Sequence, residues 1–482
     1  MNTRRKLGRI ASVLAAVAAT AGIGFGLAPI DAGQHAPATA SMEAGVFSGG
    51  GEDAVARRSA GEGEPNSGEH DLSALRLISR VMHLVDENYV DPERISPREM
   101  LLGALDFIEK SIPEVLVDDR RSDETGTVAL TVNRASTEIS LGELGSIWDL
   151  TARMRQAFAF IQENLVTTED TRQIEYAAIN GMLSTLDPHS NLLDPEQYSD
   201  MKMHTRGEFG GLGFVVSMRD GRLTVMRIIP NTPAHRGGVQ ARDVITRIED
   251  ESTVNLDLTE AVNRLRGKPG TPVDFWIERE GFEEPRKFTL VRAIIEIESV
   301  DPVHLLEDDV GYIQLTNFQG NTTRDLRKAV AELQEEADGD LAGLILDLRG
   351  NPGGLLEQAI QVSDLFIERG TIVSTVGMNN RLRERKTATH SGTLERLPLV
   401  VLVNNNSASA SEIVSGAVRN LDRGLVIGDP TFGKGSVQVL YDLVDNSALK
   451  LTIAQYLTPG DISIQDMGIV PDIELVPSLV SQ

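Results

Sequence analysis

Apolar positions along the chain follow three successive patterns. From residue 71 to about 186 they recur at helical spacing: Leu72, Leu75, Ile78, Val81, Val85 and Tyr89 lie three or four apart behind Asp71, a plausible cap. Ser96-Pro97-Arg98-Glu99 is a capping box with proline at the first helical position, and predicts a helix ending near Lys110. A third helix is predicted from about Ile147 to Leu165, and a fourth from Thr171 to Leu186. Between them, Thr127 to Val132 alternates like a strand inside a polar stretch. From Glu208 onward short strands take over, with Leu223-Thr224-Val225, Val244 to Ile248 and Val273 to Ile277 around a helix near Leu258 to Arg266. Beyond residue 299 come unbroken apolar runs, Leu344 to Leu348 and Leu399 to Val403, each entering a loop and then a helical stretch. The sequence predicts a multidomain α+β protein with a helical N-terminal region, a β-rich module and an α/β core.

The first 70 residues fit none of these patterns. Arg4, Arg5, Lys6 and Arg9 precede an apolar Ala/Gly-rich stretch over 10–28, the form of an export signal. The stretch is close to the ~20 residues needed to span a bilayer, so residues 1–30 read as an export signal or membrane anchor. Residues 31–70 are rich in Gly, Ala, Ser and Glu and cannot bury enough surface to offset their ordering entropy; they read as a flexible linker. The folded part is then expected outside the cytoplasm, in a bacterial periplasm, touching membrane only through the N-terminal segment.

Composition removes several kinds of chemistry. The net charge of -25 opposes nucleic-acid binding, which needs a cationic surface. The absence of cysteine removes disulfides, thiolate metal sites and cysteine nucleophiles. Only 8 histidines are present, so a histidine-rich metal site would draw on a small supply; no metal and no cofactor are expected.

In the middle of the chain, Gly211-Leu212-Gly213-Phe214 opens a strand. Successive N–H groups in such a turn can bind an anion, and the neighbouring strand edge can pair with a peptide. A plain hairpin turn is the alternative for these four residues alone. Together with Pro230 to Ala234 and Leu265 to Thr271, the segment resembles a PDZ domain over 206–298. The resemblance implies that Gly211, Leu212, Gly213 and Phe214 bind a substrate C-terminus. One departure is Arg242, where glycine usually precedes the aspartate; if the turn needs φ > 0, the residue is strained.

The last third holds the candidate chemistry. Arg349 to Gly354 forms a glycine-rich loop between a strand and a helix, a place where unpaired N–H groups collect negative charge; on its own the segment is better read as a plain turn. Ser409-Ala410-Ser411-Glu412 reads locally as a capping box, yet a serine there stands at the positive end of a helix and is well set as a nucleophile. Gly428 to Lys434 fills the first seven positions of a P-loop, but Gly435 replaces the magnesium-binding hydroxyl and a strand follows, so nucleotide binding is disfavoured. Lys434 is either a surface lysine or the base that a serine nucleophile requires. No histidine is close in sequence to either motif; His390 is the nearest.

Residues 299–482 resemble the carboxy-terminal processing peptidases, also called tail-specific proteases. The resemblance rests on Ser407 through Glu412 and Thr431 through Gln438, and extends to Leu186-Asp187-Pro188-His189-Ser190 and Gly468 to Asp472. It implies Ser409 as nucleophile, Lys434 as general base and Gln438 as the residue orienting the lysine. On one strand, Lys434 and Gln438 would share a face. Ala410 with Gly353 or Gly354 would supply the oxyanion donors. The implied activity is a serine endopeptidase that cuts proteins near free C-terminal tails, with the PDZ module delivering substrate or gating the site and room for an adaptor protein. The rival is an inactive PDZ scaffold that binds protein C-termini. Relative to the family, the helical domain at 71–205 carries an insertion near 111–170, whose apolar helix would pack on the core or bind a partner.

Overall fold

The N-terminal helices form where apolar side chains share one face. The computed structural model describes residues 46–47, 71–119, 126–166, 170–390, 392–394 and 397–475. Residues 1–30 and nearly all of 31–70, read as export segment and linker, lie outside these. Among the described residues no helix is long and apolar enough to cross a membrane.

The first long helix, Arg76–Asn88, starts later than the spacing behind Asp71 predicts. Leu72–Ala74 is a 3-10 turn and Leu75 has φ 48, which breaks the path between them. The expected apolar face is nevertheless buried from Leu72 to Tyr89. Ser96 accepts from the Glu99 N–H and caps helix Pro97–Ser111, a contact worth ~1 kcal/mol. That helix crosses Arg172–Ser184 backbone to backbone: a Cβ on Gly181 would lie 2.1 Å from the Gly103 carbonyl oxygen.

Residues 111–170, read from the sequence as an insertion, hold more β structure than the sequence predicts. Val115–Asp118, Thr127–Val132 and Ala135–Ser140 form an antiparallel meander, of which only the middle strand is legible. The outer strands lack an apolar face; Ala135–Ser140 buries Ile139 alone. The following helix, Ile147–Asn164, packs inward through Leu150, Met154, Phe158 and Ile161. The same apolar core runs on into Leu443, Leu449 and Leu451. The helical region and the C-terminal core, separate in the sequence reading, therefore form one compact unit, with strand Asn191–Leu193 pairing onto Ala448–Thr458.

The second unit is Asp200–Ser299 with Gln319–Asn321. Its main strands run in the order Arg286–Val291, Pro272–Glu278, Val244–Ile248, Arg222–Ile228 and Phe214–Arg219, which leaves the last at an edge. Inward alternation of Val273, Phe275 and Ile277 with Ile245, Ile248 and Val225 fills the core. Glu208–Gly211 pairs separately with Ala293–Glu296, so Gly211 belongs to a ladder and not to the loop. Arg242 has φ 74, the strained turn that the missing glycine predicts.

The C-terminal part of the first unit centres on a six-stranded sheet. Val300–Leu306 pairs antiparallel with Val310–Leu315; then Gly343–Asp347, Leu399–Val403, Leu425–Gly428 and Ile473–Glu474 continue in parallel. Strands of a parallel sheet are covered on both faces, which is why they read as unbroken apolar runs. Helices Thr322–Glu336, Leu356–Phe366 and Ala410–Asn420 contribute to that cover. A second sheet carries Ser436–Asp442, Ala448–Thr458, Thr371–Gly377 and Leu382–Thr387. Gly343–Asp347 and Leu399–Val403 end side by side, and their loops open at the carboxyl edge where open α/β sheets bind ligands.

Candidate active site

Two loops meet at that edge because Asn351 holds both. Fully buried, it donates through Nδ2 to the Leu315 carbonyl at 2.7 Å and accepts the Gly353 N–H at Oδ1 at 2.9 Å. Its carbonyl accepts from the Ala408 N–H at 3.1 Å and from the Ser411 hydroxyl at 3.0 Å. Gly353, at φ 106, lies directly against the second loop: a Cβ there would meet the Ala408 carbonyl at 2.8 Å and Ser409 Cβ at 2.9 Å. Only glycine permits that approach at that φ.

The three serines of the Ser-Ala-Ser-Ala-Ser run separate by their hydrogen bonds. Ser407 donates to the Leu348 carbonyl at 2.8 Å, and Ser411 to Asn351 as above. Ser409 Oγ is buried and has no hydrogen-bond partner. Ser409 also holds an unusual backbone, φ 52 and ψ −110, at the head of helix Ala410–Asn420. Such a conformation costs roughly 1–3 kcal/mol and persists only where its surroundings impose it. Strained strand-to-helix turns of this kind are used to present a nucleophile. The carboxylate half of the capping box suggested by the sequence is supplied by Glu412, which accepts from the Ser409 N–H at 2.7 Å.

Glu412 does more than cap. Its fully buried carboxylate also accepts from the Lys434 N–H at 2.9 Å, the Gly433 N–H at 2.7 Å and the Thr431 hydroxyl at 2.6 Å. Burial pushes its carboxyl up from the ordinary value, and these four donors pull it back. One side chain therefore ties the serine loop to the lysine loop. The sequence signals it only as the fourth residue of a local cap, because its other partners lie about twenty positions downstream.

Lys434 is buried, which removes the surface-lysine reading. It stands in the loop before strand Ser436–Asp442, so the same-face argument for Lys434 and Gln438 does not apply as stated. Gln438 is on that strand, fully buried, and donates from Nε2 to Thr452 Oγ1 at 3.2 Å. A strand follows the P-loop-like segment, as expected, and not the helix that phosphate binding needs. His189, remote in sequence, folds close enough for the Lys434 charge to act on it. Burial lowers its imidazole below the ordinary value first, and the Lys434 cation adds to this against the opposing charge of Asp187.

Of the expected oxyanion donors, the Gly353 N–H is already engaged by Asn351. Among the described residues, no acceptor pairs with the N–H of Ala410 or of Gly354. Gly354, at φ 138, is pressed against Phe318, whose carbonyl oxygen a Cβ would meet at 2.1 Å.

The glycine loop of the second unit has its own geometry. The carbonyls of Leu212 and Gly213 accept from the N–H groups of Ala234 and Ile229, and Gly213 sits at φ 85 beneath Thr232. The N–H groups of Leu212 and Gly213 have no partner in the unit. The Leu212 side chain is buried in the core, so the loop offers backbone and not side chain to a ligand. Edge strand Phe214–Arg219 continues from it, beside helix Leu258–Leu265.

Comparison with known proteins agrees with this division. Residues 309–475 match Peptidase family S41 and residues 200–278 match the PDZ domain. A carboxy-terminal-processing protease of Bartonella bacilliformis is 43% identical over 323 residues, 67% of this chain and 74% of that protein. A carboxyl-terminal-processing protease of Synechocystis sp. is 40% identical, covering 64% of this chain and 73% of the relative. The carboxy-terminal processing protease CtpA of Bacillus subtilis is 34% identical, covering 67% of this chain and 68% of its own length. The chain belongs to the carboxy-terminal processing proteases, PDZ-bearing serine peptidases of family S41.

Proposed function

We propose that the protein is an endopeptidase that cuts protein substrates near their free C-terminal tails, with Ser409 as nucleophile and Lys434 as general base. The observation that carries this is the state of the three serines. The Ser409 hydroxyl alone is unengaged, and its N–H shares a carboxylate oxygen with the N–H of Lys434. The unprotonated Lys434 amine takes the Ser409 proton as Oγ bonds to the scissile carbonyl carbon. The carbonyl oxygen becomes an anion facing the Ala410 N–H and the Gly353–Gly354 turn, each donor being worth about 3–4 kcal/mol in the transition state. The C–N bond then breaks, Lys434 returns the proton to the leaving amine, and water hydrolyses the acyl-enzyme by the same route. Gln438 orients the lysine.

The free N–H groups at Leu212 and Gly213 receive the substrate's terminal carboxylate, and the tail adds to edge strand Phe214–Arg219 by β-augmentation. An adaptor protein has room in this scheme but is not required by it. Residues 10–28 export the chain to a periplasm or anchor it there; fractionation of cells carrying the chain with and without residues 1–30 tests this.

Ser409→Ala and Lys434→Ala should each abolish cleavage of an unfolded substrate while the fold is retained. Unchanged activity in either sinks the assignment. Amidating the substrate's C-terminus should weaken binding; equal affinity would leave the glycine loop a structural turn.

A further inference from the structure

Behind Gln438 a chain of hydrogen bonds leads to Asp187, and the direction of every proton in it can be assigned. Asp187 Oδ1 accepts from the N–H groups of His189 and Ser190 at 2.7 and 2.9 Å. Oδ2 accepts from the Ser190 hydroxyl at 2.7 Å. A carboxylate only accepts, so the Thr452 hydroxyl, 3.2 Å from Oδ1, donates to it. The Ser190 proton is committed at 2.7 Å, and its oxygen, 3.3 Å from Thr452 Oγ1, accepts instead from the Thr452 N–H at 3.1 Å.

Thr452 has one hydroxyl proton and has given it to Asp187. Towards Gln438, its cross-strand neighbour, it can only accept. The amide must therefore present Nε2, which lies 3.2 Å from Thr452 Oγ1. Gln438 Oε1 is then turned away from Thr452, and it stands as a buried acceptor with no partner. Were the Thr452 proton free, it could go to Oε1, and the amide could reverse. Asp187 is 251 positions from Gln438 in sequence and contributes no atom to the serine and lysine loops.

We propose that Asp187 is a positioning residue for the peptidase reaction: through the hydroxyl of Thr452 it fixes the Gln438 amide with Oε1 free to accept from the Lys434 amine. The inference rests on the assignment of Lys434 as base and Gln438 as its orienting residue. It assigns Asp187 and Thr452 a role in setting the geometry of that base.

The test uses the full chain and a fluorogenic peptide with a free C-terminus, comparing Thr452→Val, Thr452→Ser, Asp187→Ala and the Asp187→Ala/Thr452→Val double variant. Thr452→Val keeps the shape and removes the hydroxyl; its kcat should fall about 10- to 100-fold with KM unchanged. The rising limb of its kcat–pH profile should also move, because the amine loses its acceptor. Thr452→Ser retains the hydroxyl and should restore both. Asp187→Ala should lower kcat similarly, and the double variant should be no slower than the slower single one, since both act on one amide. If Asp187→Ala does not fold, the Val/Ser pair still decides. A Thr452→Val kcat within twofold of wild type, an unmoved pH limb, or losses that multiply in the double variant would overturn the proposal. Ser409→Ala run alongside separates the failures: if it remains active, the nucleophile reading is wrong, whereas if it is dead and Thr452→Val is normal, only the positioning role is lost.

Discussion

The N–H groups of Ser409 and Lys434 donate to the same oxygen of Glu412, at 2.7 and 2.9 Å. Two segments separated in sequence by a helix and a strand are thereby held two hydrogen-bond lengths apart at the backbone. The Phe432 N–H, donating to the Ser407 carbonyl at 3.0 Å, joins the same two segments, and the register between Ser409 and Lys434 depends on that bond and on the carboxylate. Glu412→Gln keeps the volume but replaces an acceptor oxygen with a donor facing N–H groups. It should lower kcat about 100-fold, the scale on which small misplacements act. It should also cost about 1–3 kcal/mol of stability for the donors left unpaired in the interior. Steady-state kinetics and urea unfolding of the same preparation measure both. A normal kcat with lowered stability would make Glu412 a structural tie only.

Two glycines of one loop should behave differently. Gly353→Ala places a Cβ within 3.0 Å of three atoms of the serine loop at a φ of 106. Either Ser409 moves or the loop withdraws, and activity should fall at least 100-fold. Gly350, at φ 73, has open space where a Cβ would go. Gly350→Ala should cost only the left-handed backbone strain of about 1–2 kcal/mol and leave kcat within a few-fold of wild type. Equal losses of activity in the two variants would contradict the packing account.

What the sequence made legible follows the range of the interactions. Strands such as Leu399–Val403 are readable because burial on both faces writes itself as an unbroken run. Ser409 and Lys434 stand out only through their motif segments; taken locally, one was a cap and the other a surface lysine. Burial of Lys434 removes the surface reading, and groups that no window contains set Ser409 apart from its neighbours. Ser407 and Ser411 are spoken for by Leu348 and Asn351, some sixty positions upstream. Asp187 and His189 reach the site across more than two hundred residues, a distance at which spacing carries no signal. The outer strands of the three-stranded meander are not legible for the opposite reason: they have local structure but too few apolar positions to mark it.

Arg242 offers a stability test independent of catalysis. It is exposed, and its backbone sits at φ 74 in a turn that glycine would occupy without strain. The left-handed region costs a side-chain-bearing residue about 1–2 kcal/mol, and glycine returns part of that gain as chain entropy. Arg242→Gly should therefore stabilise the second unit by about 0.5–1 kcal/mol. The chain has two tryptophans, Trp148 in the helical region and Trp276 in this unit. In a Trp148→Phe background, urea unfolding followed by Trp276 fluorescence reports the change. A midpoint that does not rise would mean that the Arg242 side chain compensates its own strain.

His189 gives a prediction in pH. Burial, and after it the Lys434 cation, lower its imidazole below the ordinary 6.5, while Asp187 opposes and Lys450 adds a smaller push in the same direction. In the window between the depressed value and 6.5 the unfolded chain binds the proton and the folded one does not. Stability linked to His189 is therefore fully present above 6.5 and is lost as pH falls through that window. Lys434→Met removes the cation while keeping an apolar stem in the same space. The His189 midpoint, followed by NMR titration of the imidazole, should rise part of the way to 6.5, leaving the share due to burial. The acid-side loss of stability should shrink with it. An unchanged midpoint in Lys434→Met would mean that the imidazole does not feel the lysine, and would remove His189 from the neighbourhood of Lys434.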